Sequence, residues 1–256
     1  MSKVSILIPT YNRKEYLYET LSSVFAQTYK DFEVVVLDDG STDGTEQMIK
    51  EGGYDVRYYR QENQGEPSAR NRLIELARGE YISFLDSDDL LFEDSIERLV
   101  KAEEAESDDV IVYGSYVRID GKGEFYGGCK RKLYGGYITN YLFRDIFVHP
   151  VGTLFPKKVF DDIGKFDRSI MGGDYDFDLR ASLKYRFVAL PEPTFKRRRH
   201  SGNISRPSFR SCKEQLSVME RFYYDKGGKE VIPPRMAMKS LAKESYRTGR
   251  CALEEG

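Results

Sequence analysis

Three aspartates lie close together where an apolar run ends. In "YISFLDSDDLLF", residues 81–92, five mostly apolar residues are followed by Asp86, Asp88 and Asp89. Carboxylates at this spacing repel one another, and burying them without partners is costly. Three interpretations are open: helix capping, acid–base catalysis by a carboxylate pair, or a hard-cation site for Mg²⁺ or Mn²⁺ that in turn binds a diphosphate. The D-x-D spacing alone does not choose between them.

Other parts of the chain supply further groups with chemistry. "VVVLDDGSTDGT" places Asp38 and Asp39 after a second apolar run, and "PTYNR" supplies Tyr11, an aromatic face for a nucleotide base. Histidine occurs only twice, so acid–base catalysis would rest on carboxylates. Neither G-x-G-x-x-G after the first apolar run nor G-x-x-x-x-G-K-[ST] anywhere is present, which disfavours an NAD-type site and a P-loop.

The elements that must position these groups alternate between strand and helix. The predicted order is strand 3–10, helix 14–27, a strand in "FEVVVLD", a helix capped by Thr42 or Asp43 and reaching about Lys50, a strand in "VRYYRQ", helix 68–78, a strand in "GEYISFLD" and helix 93–106. This alternation predicts a parallel, doubly wound sheet with right-handed crossovers. Such sheets bind ligands at the carboxyl ends of their strands, so the acidic groups are expected in one crevice.

The second half of the chain alternates less regularly. "DVIVYGSYVRI" predicts a strand, the Gly- and Tyr-rich segment 121–137 predicts loops or hairpins, and "FVALPEPTFKRRRH" predicts one or two strands ending in a basic run. From about Ser211 the pattern is helical. It stays amphipathic to the last residues without a capping signal, which leaves open that the complete protein continues.

Composition excludes several classes of protein. The chain has 256 residues, 40% of them hydrophobic and 32% charged, with a formal net charge of −2. That charge gives no case for a nucleic-acid partner. No apolar run approaches the ~20 residues of a spanning helix and no signal peptide is recognisable, so we expect a soluble cytoplasmic protein. The basic run 196–199 leaves contact with anionic lipid at the inner face of the membrane open.

Cysteine spacing gives no sign of a disulfide framework or a structural zinc site. Cys129, Cys212 and Cys251 are odd in number, widely separated and without a C-x-x-C pair. Metal binding and disulfide-rich folds usually place cysteines in close, repeated pairs.

Five segments in order resemble a known family. "VSILIPTYNRKEYLYETLSSVFAQTYKDFEVVVLDDGSTDGT", "NQGEPSARN", "GEYISFLDSDD", "FPKKVFDDIGKFDRSIMGGDYDFDLR" and "RRRHSGNIS" are similar to family 2 of the inverting nucleotide-sugar glycosyltransferases, which have the GT-A fold. The resemblance is dense over 3–100, patchy to about 206 and absent beyond 210. It implies a nucleotide-sugar-binding half over 1–105, an acceptor-binding half of the same domain over 106–210 and a helical tail over 211–256.

The resemblance also implies a role for individual residues. Asp39 would accept a hydrogen bond from a pyrimidine N3–H, with Pro9 and Tyr11 near the base, and Arg70 would approach the nucleotide. Asp86 would lie near the ribose or the metal, Asp88 would ligate Mn²⁺ or Mg²⁺, and Asp174 would be the catalytic base. His200, with Arg198 and Arg199, would face the diphosphate or the metal. The implied reaction moves a sugar from a nucleotide donor, with a UDP-sugar leading, to a hydroxyl of a glycan or lipid-linked acceptor.

One departure from the family keeps alternatives open. The family usually has Glu-Asp at the base motif, and Gly173 stands in place of the glutamate. A catalytically weakened nucleotide-sugar or glycan-binding module is one alternative. A sugar nucleotidyltransferase is another, although its Gly-rich phosphate loop is missing. Structural roles also remain open: Asp89 or Asp174 as helix caps, Tyr11 in packing, Arg70 in an ion pair and His200 at the surface.

Overall fold

The first four strands form the parallel part of the sheet. The computed structural model describes residues 2–128, 131–170, 173–200, 202–203 and 208–255. Strands β1 (Val4–Thr10), β2 (Phe32–Asp38), β3 (Arg57–Arg60) and β4 (Tyr81–Phe84) alternate with helices α1 (Lys14–Phe25), α2 (Thr45–Glu51) and α3 (Glu66–Leu76). The strand order β3-β2-β1-β4 is parallel throughout. The predicted alternation is therefore confirmed.

The second half extends the same sheet with mixed strand directions. Its elements are β5 (Leu90–Leu91), α4 (Ser95–Glu104), β6 (Val110–Ile119), β7 (Phe125–Gly128), α5 (Thr139–Leu142), β8 (Thr153–Pro156), α6 (Val159–Asp162), α7 (Asp174–Lys184) and β9 (Arg186–Arg198). The order continues from β4 as β8-β6-β9-β5. β8 is antiparallel to β4 and β6, β9 is parallel to β6, and β7 forms the expected hairpin with β6.

Both faces of the sheet are covered because successive side chains of a strand point to opposite faces. Ile6 and Ile8 of β1 belong to a core that includes residues of α1, α2 and α4. Leu7, between them, belongs to the opposite core with residues of α3 and α7. The near-continuous apolar character of β1 follows from this burial on two sides.

Two predicted helix starts are displaced by a few residues. α3 begins at Glu66, two residues before the predicted start, so Arg70 lies on a helix one turn after Glu66. α2 begins after Gly44, which has a φ of +87°, so the expectation that Thr42 or Asp43 is the N-cap is wrong. Asp43 still satisfies the helix end, since its Oδ1 accepts from the backbone N–H of Thr45 at 3.1 Å.

The capping interpretations of two aspartates are also wrong. α4 has Asp94 as its N-cap, whereas the carboxylate of Asp89 accepts the backbone N–H of Arg198 at 2.8 Å. α7 has Gly173 as its N-cap and includes Asp174 in its first turn, where no side-chain capping bond forms. Neither carboxylate is therefore occupied in capping a helix.

The tail folds into helices that pack back on the domain. α8 (Phe209–Asp225) begins two residues before the expected Ser211 and is followed by α9 (Gly228–Val231) and α10 (Pro234–Glu255). A capping box between Ser208 and Ser211 explains where α8 starts. α10 packs along α8, and apolar residues of both join the core beneath α7. Among the described helices, none has the length and apolar character that crossing a bilayer requires.

Candidate active site

A cavity of about 660 Å³ opens at the carboxyl ends of β1, β2 and β4. The predicted site residues that line it are Pro9, Tyr11, Asp39, Arg70, Asp86, Asp88 and Asp174. The strands converge here because parallel neighbours present their carboxyl ends at one edge of the sheet. The sequence-based expectation of a single crevice agrees with this arrangement.

At one end of the cavity Asp39 is held by the protein itself. Its carboxylate accepts from Gln61 Nε2 at 2.7 Å, from the backbone N–H of Gln64 at 3.0 Å and from that of Gly65 at 2.8 Å. The side chain is nearly buried, with its residue 4% exposed. Three donors orient both carboxylate oxygens. Tyr11 stands beside it, 48% exposed.

The loop that carries Tyr11 is fastened to the turn after β2. Asn12 adopts a φ of +50°, which asparagine tolerates better than most residues. Its backbone N–H donates to Ser41 Oγ at 2.8 Å, and its Oδ1 accepts the backbone N–H of Thr42 at 2.8 Å. Asp38 orders the same turn by accepting from the backbone N–H of Ser41 at 2.7 Å. These bonds fix the aromatic face of Tyr11 relative to Asp39.

Arg70 joins the acidic groups at the centre of the cavity. Its guanidinium donates to Asp86 Oδ1 at 2.8 Å and to Asp174 Oδ1, and it lies 2.6 Å from Glu66 Oε1. Arg70 is 3% exposed and its guanidinium lies over the ring of Phe84. Although burial lowers the pKa of Arg70, the three carboxylates outweigh burial and raise that pKa further above its usual range. Arg70 therefore neutralises a cluster of negative charge that would otherwise repel itself.

Two carboxyl groups beside Arg70, those of Glu66 and Asp174, have raised pKa values. Arg70 lowers the pKa of Glu66, but desolvation and the negative charges of Asp86 and Asp174 outweigh it and raise this pKa to about 7. Desolvation, with a contribution from the charge of Asp86, also raises the pKa of Asp174, against the opposing effect of Arg70. A carboxylate with a raised pKa is a better proton acceptor near neutral pH.

Asp88 binds a different set of groups. Its Oδ2 lies 2.9 Å from His200 Nε2, 3.9 Å from Arg13 Nη1 and 3.4 Å from Asn203 Nδ2. The backbone N–H of His200 donates to Asn203 Oδ1 at 2.6 Å, and its ring lies 4.7 Å from that of Tyr16 between centroids. The structure thus brings together the two predicted metal ligands, Asp88 and His200, from positions 112 residues apart.

The third aspartate of the motif is tied to β9. Asp89 is 3% exposed and accepts the backbone N–H of Arg198, while Arg198 Nε donates to the carbonyl of Asp88 at 2.9 Å. Arg198 Nη2 also donates to Glu19 Oε2 at 2.6 Å, and the residue is fully buried. Desolvation and the charges of Asp86 and Asp88 raise the pKa of Asp89 well above its usual range. The donors of Arg198 hold the motif loop in place.

The basic run 196–199 does not form one surface patch. Lys196 lies over the ring of Phe92, Arg197 lines the cavity and Arg198 is buried. Arg199 is exposed and is not among the residues that line the cavity, so its predicted contact with the donor stays a prediction. Alternation along β9 points Arg197 to the face opposite Lys196 and Arg198, and Arg199 follows the end of the strand.

Three carboxylates are arranged as a cation site would require. Asp86, Asp88 and Asp89 each offer one carboxylate oxygen, and these oxygens lie within 4.8 Å of one another. Oxygen ligands of this charge suit Mg²⁺ or Mn²⁺, and His200 adds a nitrogen ligand beside Asp88. The donor set therefore fits a divalent cation, which would relieve the mutual repulsion of the three carboxylates.

Several cavity residues were missed by the sequence analysis. Arg13 and Glu66 lie inside recognised segments, and the spacing of Glu66 four residues before Arg70 on a helix was a usable signal. The tail contributes Ser211, Gln215 and Arg247, which no motif in the sequence indicates. Cys129, Ser201 and the end of "RRRHSGNIS" from Ile204 lie outside the described residues.

His149, the other histidine, has a structural environment. Its ring meets the edges of Tyr116 at 5.2 Å and Phe195 at 6.4 Å between centroids. Desolvation, together with the positive charges of Arg197 and Arg131, lowers the pKa of His149 to about 3, so the ring is neutral at physiological pH. His149 is not among the residues lining the cavity.

Comparison with known sequences gives a consistent family. Residues 5–164 match the model of the family described as Glycosyl transferase family 2. An uncharacterized glycosyltransferase of Rickettsia felis is 39% identical over 139 residues, which are 54% of this chain and 23% of that protein. The glycosyltransferase GlyG of Streptococcus pneumoniae is 30% identical over 224 residues, covering 80% of this chain and 74% of GlyG. The chain spans about a quarter of the length of the first curated relatives it matches.

Solved structures share the fold at low sequence identity. S. aureus TarS 1–349 in complex with UDP-GlcNAc superposes with a TM-score of 0.71 at 20% identity, over 96% of this chain and 72% of that one. The mannosyltransferase PcManGT of Pyrobaculum calidifontis, in complex with GDP-Man and Mn²⁺, gives a TM-score of 0.68 at 19% identity, over 96% and 70%. Both are GT-A glycosyltransferases, so the predicted GT-A fold is confirmed.

Proposed function

The chain belongs to glycosyl transferase family 2, and we propose that it transfers a sugar from a nucleotide diphosphate donor to a hydroxyl acceptor with inversion at the sugar carbon. The observation that carries this proposal is that Asp88, which contacts His200 behind it, and Asp174 line one cavity. An inverting transfer needs an acidic group that holds a cation for the leaving diphosphate, and a separate base for the acceptor proton.

The donor half is proposed to comprise residues 1–105. Asp39 and Tyr11 form an end of the cavity with one carboxylate and one aromatic face, which suits a pyrimidine base with an N3–H donor. UDP-GlcNAc is bound by TarS and GDP-Man by PcManGT, and these two neighbours share the fold of this chain. We favour a UDP-sugar because a single carboxylate matches the single N3–H of uracil.

Asp86, Asp88 and His200 are proposed to hold the divalent cation, Mn²⁺ or Mg²⁺. When bound, the cation would neutralise the charge that develops on the leaving diphosphate. Asp89 is better suited to holding the loop, because it accepts the backbone N–H of Arg198. Mn²⁺ accompanies the donor in PcManGT.

Asp174 is proposed to be the general base. The acceptor oxygen attacks the sugar carbon, the bond from that carbon to the diphosphate oxygen breaks, and the acceptor proton passes to Asp174. A single displacement of this kind inverts the configuration of the sugar carbon. The raised pKa of Asp174 improves it as a proton acceptor, and Arg70 keeps the side chain in position.

The acceptor is proposed to enter between the half formed by 106–210 and the tail 211–256. Ile146 lines the cavity from the first of these segments, and Gln215 and Arg247 line it from the second. A glycan or a lipid-linked sugar would present its hydroxyl to Asp174 from this side. Asp174 remains in the first turn of α7 although Gly173 replaces the usual glutamate. This position favours an active enzyme over a catalytically weakened binding module.

The test compares the wild type with Asp88→Asn and Asp174→Asn in the presence and absence of Mn²⁺. Donor affinity is measured by calorimetry with UDP, and turnover by release of UDP from a UDP-sugar. Asp88→Asn should lose the part of UDP affinity that Mn²⁺ adds, and Asp174→Asn should keep that affinity while turnover falls by about 10²–10⁴-fold. The exposed Asp55→Asn is the matched control.

Two results would contradict the proposal. UDP affinity that is the same in EDTA and in Mn²⁺ would remove the cation from the site. Full turnover in Asp174→Asn would show that another group accepts the proton.

A further inference from the structure

Two cysteines that are far apart in the sequence meet in the tail. Cys212 on α8 and Cys251 on α10 are separated by 39 residues, and their Sγ atoms lie 2.6 Å apart. Both are unoxidised in the structure, with Cys212 fully buried and Cys251 9% exposed. This distance is far shorter than the ordinary contact distance of about 4 Å between side-chain atoms that pack in a core. We infer that Cys212 and Cys251 are a site of disulfide formation that fastens α10 to α8.

The surrounding contacts fix the register in which the two helices meet. On one side of the cysteines the backbone N–H of Phe209 donates to Glu255 Oε1 at 2.8 Å. On the other side Arg247 Nη2 donates to Gln215 Oε1 at 2.6 Å. The pairs 209–255, 212–251 and 215–247 advance by three residues on α8 and recede by four on α10. These are the steps that keep side chains on one helix face, so the cysteine pair lies within a continuous antiparallel seam.

The seam borders the cavity. Ser211, next to Cys212, lines the cavity, and so do Gln215 and Arg247. Arg247 is one helical turn before Cys251, on the same face of α10. A bond between the two sulfurs would therefore restrict the relative motion of α8 and α10 at the wall that these residues form.

The chemistry requires an external two-electron oxidant. A small-molecule disulfide such as oxidised glutathione supplies it: one protein thiolate attacks and releases a molecule of reduced glutathione, and the second protein thiolate then displaces the other glutathione. The Sγ–Sγ bond forms, the two thiols lose two protons and two electrons, and two molecules of reduced glutathione leave. Disulfide exchange needs no other co-reactant.

The two cysteines should react in a fixed order. Desolvation, with a hydrogen bond to Cys251, raises the pKa of Cys212 to about 11, so Cys212 is a thiol and a poor nucleophile at neutral pH. Cys251 is the more exposed of the two and lies near the end of α10. Cys251 is therefore expected to meet the oxidant first, and Cys212 to resolve the mixed disulfide.

The experiment treats the full chain with oxidised glutathione, blocks the remaining thiols and maps the peptides by mass spectrometry. Wild type and the control Cys129→Ser should yield a peptide pair linked through 212 and 251. Cys212→Ser should accumulate glutathione on Cys251, and Cys251→Ser should react at least tenfold more slowly. Wild type that keeps both thiols free, or that carries stable glutathione without the link, would overturn the inference.

A second measurement tests whether the bond fastens the helices. Oxidised wild type should show slower amide hydrogen exchange in 209–225 and 234–255 than the same protein in dithiothreitol, and a melting temperature higher by about 5 °C or more. The double variant Cys212→Ser/Cys251→Ser should show neither difference. A linked protein with unchanged exchange and melting temperature would contradict this part of the inference. Neither measurement uses glycosyl transfer, so failure of the proposed function leaves the test intact.

Discussion

The two aspartate groups at the edge of the sheet are stabilised by different kinds of partner. Asp39, in the turn after β2, receives neutral donors from a stretch of the chain about 25 residues away. The group after β4 has partners of another kind: the guanidinium of Arg70 on α3 contacts Asp86, and the imidazole of His200 after β9 contacts Asp88. The first site is complete before any ligand arrives, whereas the second consists of charges that a ligand can exchange. The proposed roles in donor recognition and in chemistry are thus separated along one edge of the sheet.

Removing the positive charge of Arg70 should give the largest loss of turnover. Arg70→Gln leaves Glu66, Asp86 and Asp174 without their common partner. We expect turnover to fall by at least about 10²-fold, because the base loses its orientation. Unfolding free energy should fall by about 2 kcal/mol, less than for fully buried pairs because all three carboxylates are about one-third exposed.

The pH profile separates positioning from general damage. Arg70 lowers the pKa of Asp174, so its loss should raise that pKa further and move the acid limb of kcat/KM to higher pH. The exposed Arg72→Gln on the same helix should change neither rate nor profile. If the acid limb of kcat/KM in Arg70→Gln stays at its wild-type pH, Arg70 does not control the pKa of Asp174.

The sequence was sufficient to place the residues of the first site at the cavity, but not to predict the network of contacts in the second. Asp39, Tyr11 and Pro9 follow directly from strands whose apolar runs end at the cavity, so local pattern and sheet geometry place them. The network around Arg70 needs a contact between residues 104 apart, and no local pattern encodes that distance. Resemblance to a family supplied Asp174, but not its bond to Arg70.

The same limit explains the errors and omissions. The capping interpretation of Asp89 failed because its partner, Arg198, arrives from a strand 109 residues later. The part of the cavity lined by the tail was missed because Gln215 and Arg247 belong to amphipathic helices. Polar residues of such helices are expected at the solvent-exposed surface. Helix starts were displaced by only a few residues, as expected when Gly44 rather than a polar side chain begins α2.

Substituting the recognition site should affect binding more than chemistry. Asp39→Asn replaces one acceptor oxygen by an amide that faces the donors from Gln61, Gln64 and Gly65. We expect a loss of about 1–3 kcal/mol in unfolding free energy and an approximately tenfold or greater rise in KM for the donor, with kcat within about threefold of wild type. Urea unfolding and steady-state kinetics measure both. A fall in kcat with an unchanged KM would contradict the proposal that Asp39 acts in donor binding and not in the chemical step.

The wild-type pH profile should show which site controls the rate. Asp174 must be ionised to accept a proton, and its pKa is raised by desolvation and by Asp86. The acid limb of kcat/KM should therefore lie above about pH 4, the ordinary value for an aspartate, and activity should fall as pH drops through it. Asp86→Asn removes one of the raising charges and should shift the limb towards lower pH. Measuring kcat/KM from pH 4 to 8 with Mn²⁺ fixed tests the direction.

The smallest effect is expected where the chain departs from its family. Gly173 has a φ of −61°, which any residue adopts, and an added Cβ would lie 3.3 Å from the carbonyl oxygen of Asp167. Gly173→Ala should therefore cost at most about 1 kcal/mol of unfolding free energy and leave kcat within about twofold. The reason is that Asp174 is held by Arg70 and by the first turn of α7, not by its neighbour in the chain. A loss of turnover approaching that of Arg70→Gln, without unfolding, would mean that residue 173 takes part in positioning the base after all.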